Sequence, residues 1–274
     1  MYIPLIIKDG QNSVHYRRWE DPAADCVLLL VHGLGGHSLR WTSLAEFFLD
    51  KNISLFAIEL EGFGEHAGLK GHVESFDRYV EDICRIRGII AEKIPGKKIF
   101  LVGESMGALI CFQTAAYNPG LFDGLICMSP AFSNRLKFSA VKYAEIFRDM
   151  ILNPRKQINI PFDSKMCTRD PECRKILDED PREHRLATAG LLRGIVLAQL
   201  RSEVFARRIK MSVLFMLAGQ DELVRSETSE RIFGSLKTED KTLIKYPEMR
   251  HALSIERGRE KVFADILQWL RKRI

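Results

Sequence analysis

Gly103-Glu104-Ser105-Met106-Gly107 joins an apolar run, Lys98 to Val102, to a stretch of small apolar residues from 106 to 117. A serine hydroxyl attacks a carbonyl only when it is exposed and its proton has an acceptor. A tight turn between a buried strand and a helix supplies the exposure, and glycines on both sides let the neighbouring backbones pass. The following helix directs its N-terminal N–H groups and positive dipole end toward the attacked oxygen. Ser105 is therefore the candidate nucleophile. The five-residue pattern recurs by chance, so its weight comes from standing between strand and helix.

The partners of such a serine follow it in the order acid, then histidine. After the apolar run Val213 to Leu217 comes Ala218-Gly219-Gln220-Asp221, an acid just past a strand end. After Lys241 to Tyr246 comes Pro247-Glu-Met-Arg-His251. Asp221 would accept a bond from one nitrogen of His251 and leave the other free to take the serine proton. Glu222 is the rival acid. A third signal is His32-Gly33-Leu34-Gly35-Gly36-His37-Ser38, directly after the run Cys26 to Val31. Its glycines permit a sharp turn, and the backbone N–H groups of Leu34 and Met106 form the expected oxyanion hole. His32 and His37 could suggest a metal pair, but no third ligand accompanies them. His66 and His72 read as loop residues, so neither metal nor cofactor is expected.

These loops need a frame that holds them together. Cys26–Val31, Ile53–Ile58, Lys98–Val102, Leu125–Met128 and Val213–Leu217 are continuous apolar runs, the mark of parallel strands covered on both faces. Between them lie helical patterns: Tyr79, Ile83, Ile86 and Ile90 form one stripe, with Ser75 as N-cap and Pro95-Gly96 as stop. A last helix over about 258 to 272 buries Phe263, Ile266, Leu267 and Leu270. Tyr2 to Lys8 and Ser13 to Trp19, around Asp9-Gly10, predict an antiparallel hairpin at a sheet edge. Alternating strand and helix predicts an α/β, doubly wound, mostly parallel sheet. The strand rhythm stops at 131–207, read as helix and loop. The expected organisation is a core of 1–130 and 208–274 with a cap insertion, 131–207, folded over the C-terminal edge of the sheet. In the cap, Val141, Ala144, Phe147 and Ile151 form one amphipathic pattern, and Leu191, Leu192, Ile195 and Val196 another.

The bulk properties exclude several classes. Apolar residues are 46% and charged residues 28% of the 274, an ordinary globular composition. The net charge of +5 is scattered among acids, which argues against nucleic acid. Arg271-Lys272-Arg273 reads as the solvated end of the last helix. The six cysteines fit no common zinc spacing and read as free thiols of a reducing compartment. The N-terminus lacks a basic start and meets charge at Lys8, unlike a signal peptide, and no stretch reaches eighteen uncharged apolar residues. A cytoplasmic location is expected.

With these residues in place, the chain resembles the monoacylglycerol lipase and lysophospholipase branch of the α/β-hydrolases, the serine aminopeptidase S33 type. The resemblance rests on His32-Gly-Leu-Gly-Gly-His-Ser38, Gly103-Glu-Ser-Met-Gly107, Ser129-Pro130, Gly219-Gln-Asp-Glu-Leu-Val224 and His251. It implies the α/β-hydrolase fold with an eight-stranded sheet and helical cap, the triad Ser105, Asp221 and His251, and the Leu34 and Met106 amides as oxyanion hole. It also implies a cap with an acyl-binding entrance, to which Ile158, Ile160, Phe162, Phe138, Phe147, Leu191 and Ile195 are candidates. Glu59-Leu-Glu-Gly-Phe-Gly64 departs from the family, which has Asp and a basic residue before the glycine, and Ala108 stands where a third glycine is common. The expected activity is hydrolysis of monoacylglycerols, lysophospholipids or similar acyl esters through an acyl-enzyme, with transient membrane contact through the cap. Two alternatives remain open. Amide, amino-peptide or C–C hydrolysis on the same triad would recruit cap acids, though Glu172, Asp178, Glu179, Asp180 and Glu183 read as a solvated helix face. A non-enzymatic ligand receptor of the same fold is the other.

Overall fold

The computed structural model describes residues 7–9 and 14–274. In chain order the elements are β1 (Ile7–Asp9), β2 (Val14–Trp19), β3 (Cys26–Val31), α1 (Thr42–Phe48), β4 (Ile53–Glu59), α2 (Asp77–Lys93), β5 (Lys98–Glu104), α3 (Met106–Tyr117) and β6 (Gly124–Met128). Then follow α4 (Ala140–Leu152), β7 (Gln157–Asn159), α5 (Ser164–Cys167), α6 (Pro171–Glu179), β8 (Leu186–Thr188) and α7 (Ala189–Ala206). The chain closes with β9 (Ser212–Ala218), α8 (Ser226–Ser235), β10 (Lys241–Tyr246) and α9 (Arg259–Leu270).

Eight strands form one sheet in the order β1-β2-β4-β3-β5-β6-β9-β10. From β4 to β10 every pairing is parallel, while β2 is antiparallel to both β1 and β4. The continuous apolar runs follow from this arrangement, because alternate residues face opposite helical layers. Val27, Leu29 and Val31 pack with Tyr79, Ile83 and Ile86 of α2 and with α3. Cys26, Leu28 and Leu30 pack with Leu44 and Phe48 of α1 and with Phe263 and Ile266 of α9. The hairpin expected at the edge is present as Ile7–Asp9 paired with β2, with Asp9 opposite Val14. The rest of its first arm and its turn, 1–6 and 10–13, lie outside the described residues.

Helix α2 starts two residues past the expected cap, yet Ser75 Oγ still accepts from the Asp77 N–H at 3.3 Å. At the far end of the chain Arg273 is not simply solvated. It donates to the Trp269 carbonyl at 2.7 Å and pairs with Asp240.

Between β6 and β9 the chain departs from the reading as helix and loop. Gln157–Asn159 and Leu186–Thr188 pair as a small antiparallel ribbon, with Ile158 opposite Ala187. Helix α4 forms where its periodicity predicts, but the predicted stripe faces outward: Val141, Phe147 and Ile151 are exposed, while Ile146 and Asp149 are buried. Asp149 escapes the penalty of burial by pairing with Lys156 at 2.8 Å and Arg148 at 2.9 Å. Ile158, Ile160 and Leu191 are core residues, and Phe138, Phe162 and Ile195 pack partly buried against them. All six cysteines are free. Among the described residues, no helix is long and apolar enough to cross a membrane.

Backbones meet closely where α3 passes β3. A Cβ on Gly107 would sit 2.5 Å from the His32 carbonyl oxygen and closer still to that of Val31. Gly107→Ala should therefore destabilise the protein by about 1–3 kcal/mol, because the obstacles are backbone atoms that cannot rotate away. Urea unfolding measures this, and an unchanged midpoint would show that α3 can shift without penalty.

Candidate active site

Ser105 sits between the last residue of β5 and the first of α3, with φ +57° and ψ −120°. That backbone region is sparsely populated for a side-chain-bearing residue and costs of order 1–3 kcal/mol. Three hydrogen bonds hold the turn: Ser105 N–H to the Met128 carbonyl at 2.9 Å, and its own carbonyl accepting from Leu109 and Ala131, each at 3.1 Å. Glycine is required at both flanks. A Cβ on Gly103 would lie 2.5 Å from the Gly107 carbonyl oxygen, so strand and helix meet backbone to backbone. Ser129, at the end of the neighbouring β6, also has positive φ, +41°.

The loops after β9 and β10 leave the same edge of the sheet, because these strands are parallel to β5 and in continuous register with it. They bring Asp221 and His251 together. His251 Nδ1–H donates to Asp221 Oδ2 at 2.8 Å, and both residues are buried. Asp221 Oδ1 accepts from the Leu223 and Val224 amides, each at 2.9 Å. Burial would raise the Asp221 carboxyl, but the His251 charge, the His251 hydrogen bond and the two amides outweigh it and hold it below the usual range. Burial would likewise depress His251. The Asp221 charge and hydrogen bond, joined by the nearby Glu104, overcome this and lift the imidazole above its ordinary value. Glu222 is exposed and lies 3.9 Å from Arg250, so Asp221 is the acid that meets the histidine.

The loop after β3 stands against the elbow. A Cβ on Gly33 would touch Ser105 Cβ at 3.0 Å and lie 3.6 Å from its Oγ. Among the described residues neither the Leu34 nor the Met106 N–H donates to a protein acceptor. His32 is structural: its Nε2 accepts from Leu60 N–H at 3.1 Å and its Nδ1–H donates to the Gly33 carbonyl at 2.8 Å. Burial lowers it to about 4, so it is neutral. His37 is buried too, 3.4 Å from Asp180 and 3.5 Å from Glu183. His66 bonds the Glu59 carbonyl at 3.1 Å, and His72 the Thr188 hydroxyl at 3.2 Å. The described residues contain no group of three or more potential ligands able to hold a metal.

The reading of a solvated acidic face holds for Glu172, Asp178 and Glu179, which are exposed, but fails for Asp180 and Glu183. Glu183 is buried and takes both oxygens to Arg40, at 2.7 and 2.5 Å. Asp180 accepts from Arg182 at 2.6 Å, and this bond first of all lowers it to about 2. Asp178 pairs with Arg185 at 2.6 Å. Glu59, the departure noted in the sequence, is a buried acceptor for the Ser38 hydroxyl, the Ser38 amide and the Glu65 amide. The Arg40–Glu183 pair and the contacts of His37 with Asp180 and Glu183 stitch the insertion to the Leu34 loop. His184 N–H also donates to the Gly35 carbonyl at 3.2 Å. Beside this seam lies a cavity of about 270 Å³, lined by Arg40, Asn159, Phe162, Cys167, Leu177 and His184 among others, and it includes neither Ser105 nor His251.

Sequence reasoning did not single out Arg40 or Glu104, and it misread Glu183 as solvated. A charged residue closing an apolar strand, as Glu104 does, was the available signal. The pairing of Arg40 with Glu183 had none.

The chain matches the family described as Serine aminopeptidase, S33 over residues 22–258. It is 30% identical to a human monoglyceride lipase, covering 98% of this chain and 90% of the relative. It is 25% identical to a monoacylglycerol lipase of Mycolicibacterium smegmatis, over 89% of this chain and 87% of that one. Among solved structures, a Paleococcus ferrophilus monoacylglycerol lipase superposes with TM-score 0.85 at 27% identity, covering 95% of this chain and 99% of its own.

Removing Glu183 would strand the buried Arg40 guanidinium. Glu183→Ala should lower stability by about 3–5 kcal/mol in urea unfolding. The double variant with Arg40→Ala should recover part of that loss. A single-variant loss below about 1 kcal/mol would mean that water replaces the pair.

Proposed function

The chain belongs to the serine aminopeptidase S33 family of α/β-hydrolases and is a carboxylic ester hydrolase, and we propose that Ser105, Asp221 and His251 are its catalytic triad. The observation that carries this reading is the buried Asp221–His251 bond of 2.8 Å, formed by loops that leave the sheet edge where Ser105 is held in a strained elbow. In the proposed course Ser105 Oγ bonds to the ester carbonyl carbon and passes its proton to His251 Nε2. The carbonyl oxygen takes the negative charge and accepts from the Leu34 and Met106 amides. The imidazolium returns the proton to the departing alcohol. Water then attacks the acyl-enzyme, gives its proton to His251, and releases the acid with Ser105 restored.

The substrates we infer are monoacylglycerols, lysophospholipids or similar acyl esters. The names of the relatives support this reading, as does the pairing of Glu183, in the insertion between β6 and β9, with Arg40 beside the Leu34 loop. An amino-peptide substrate is less well served. Asp178, Asp180 and Glu183 each face a guanidinium, and Glu172 and Glu179 are exposed, so the cap acids offer poor capture of a substrate ammonium group. The six free thiols suit a reducing, cytoplasmic setting.

Transient contact with a lipid surface belongs to the same reading. Helices α4 and α7 pack together and leave Phe147 68%, Leu152 75%, Leu200 73% and Val204 60% exposed. So much apolar surface on one pair of helices suits an interface with acyl chains.

Three outcomes are expected. Ser105→Ala should keep the fold by circular dichroism and lose at least about 10⁴-fold in kcat on p-nitrophenyl esters; a variant retaining most of its turnover would sink the triad. The rate should follow neutral His251, so kcat/KM falls as pH drops, with a half-point above the ordinary histidine value of about 6.5 because the folded imidazole is raised. Phe147→Ser with Leu200→Ser should reduce co-sedimentation with phosphatidylcholine vesicles while leaving hydrolysis of a soluble short-chain ester intact. Unchanged sedimentation would exclude this face as the contact.

A further inference from the structure

Glu104 immediately precedes Ser105 and ends β5, yet its side chain is buried, with the residue only 3% exposed. Burying a carboxylate costs several kcal/mol unless partners replace its water. Glu104 has two, both from one residue. Ser254 N–H donates to Oε1 at 2.9 Å and the Ser254 hydroxyl donates to Oε2 at 2.8 Å. Ser254 stands in the single turn Leu253–Ile255, three positions beyond His251. The carboxylate thus bridges the elbow and the histidine loop, which lie 150 residues apart in sequence. With a donor engaged on each oxygen, the arrangement suits the ionised form.

The titratable and charged groups around His251 come from four elements. Asp221, in the loop after β9, is hydrogen-bonded to it. Glu104, at the end of β5, acts on it as a second negative charge. Arg40, from the turn Ser38–Trp41 before α1, opposes them, but its guanidinium is held by Glu183 of the insertion. Cys167, whose carbonyl accepts from Ala252 N–H at 2.9 Å, keeps a neutral thiol because burial pushes it up to about 12. Glu104 is therefore the negative charge near the imidazole other than its direct partner. Its own carboxyl is raised by burial, against the Ser254 bonds and the His251 and Arg40 charges.

We propose that Glu104 is a positioning and charge-balancing residue of the hydrolysis: through Ser254 it fixes the His251 loop against the elbow, and its charge favours the imidazolium that forms as Ser105 attacks. The proposal rests on the reading of Ser105 and His251 as nucleophile and base. It makes the second residue of Gly-Glu-Ser-Met-Gly a contributor to the base, although Glu104 touches neither substrate nor reacting atom.

Glu104→Gln tests it, because the amide keeps the size and one acceptor for the Ser254 N–H but removes the charge. On a soluble p-nitrophenyl ester, the acidic limb of kcat/KM should move to lower pH by roughly 0.5–1 unit. The plateau of kcat should fall about three- to tenfold, with KM within about twofold of the parent, since a weaker base abstracts the proton less well. The His251 ring proton should titrate with the same downward shift by NMR in the resting enzyme. Ser254→Ala withdraws one donor without deleting the charge, and should move the limb in the same direction by less. It also serves as the test if Glu104→Gln does not fold. A limb and a ring titration that stay in place overturn the proposal, since a residue that only fills space or ties loops would leave both unmoved. Ser105→Ala is run alongside: if it retains turnover, the reading of the site fails, whereas an inactive Ser105→Ala with an unmoved limb overturns the role of Glu104 alone.

Discussion

Helix α3 meets β3 backbone to backbone, at the point where it leaves the elbow and passes the end of the strand. Gly107 lies against the Val31 and His32 carbonyls, and Gly103 against the Gly107 carbonyl. Only hydrogen fits at these positions. That contact lets Ser105 adopt positive φ and brings Gly33 against its side chain. The interior is close-packed, so the position of α3 also fixes how the helical layer meets the sheet. Strain at one serine is therefore borne by the whole α3–β3–β5 junction rather than by local flexibility.

Around this apolar frame the protein buries several charges, and each is compensated. Glu59 is met by two amides and a hydroxyl, Glu183 by Arg40, Asp149 by Lys156 and Arg148, and Glu104 by Ser254. Pairs of this kind add little net stability over apolar residues of equal size, yet losing one partner is expensive. Their effect is to specify geometry. The Arg40–Glu183 pair joins the loop that carries Leu34 to the insertion between β6 and β9, so the two cannot drift independently without exposing an unpaired charge.

The electrostatics of the site follow from the same economy of charge. Burial alone would leave His251 a poor base, and Asp221 reverses this through a short hydrogen bond in a region that excludes water. His32 and His37, similarly buried but without a carboxylate so well placed, are pushed down to about 4 and about 3. Three histidines near one sheet edge thus take different roles because of their neighbours, not their type. One is a candidate base and two are neutral parts of the scaffold.

Much of this was legible in the sequence because it is local. The continuous runs at Cys26–Val31 and Val213–Leu217, the stripe Tyr79-Ile83-Ile86-Ile90 and the small-residue helix from 106 to 117 each report the burial of their own element. Ser105, Asp221 and His251 were legible because each follows a recognisable strand end, and parallel strands deliver such ends to one edge. The stripe on α4 was legible as a helix, but which way it faced was not. Val141, Phe147 and Ile151 point outward because the packing of the insertion selects the side carrying Ile146 and Asp149. The acids near 180 look solvated in sequence and prove paired, since Arg40 lies 143 residues away from Glu183. The sequence by itself determined the sheet, the elbow and the order of the candidate site residues, because periodicity and chain order act over a few neighbours. Tertiary structure alone decided which charges meet and which apolar face stays in water, because those depend on contacts between segments whose separation along the chain carries no local signal.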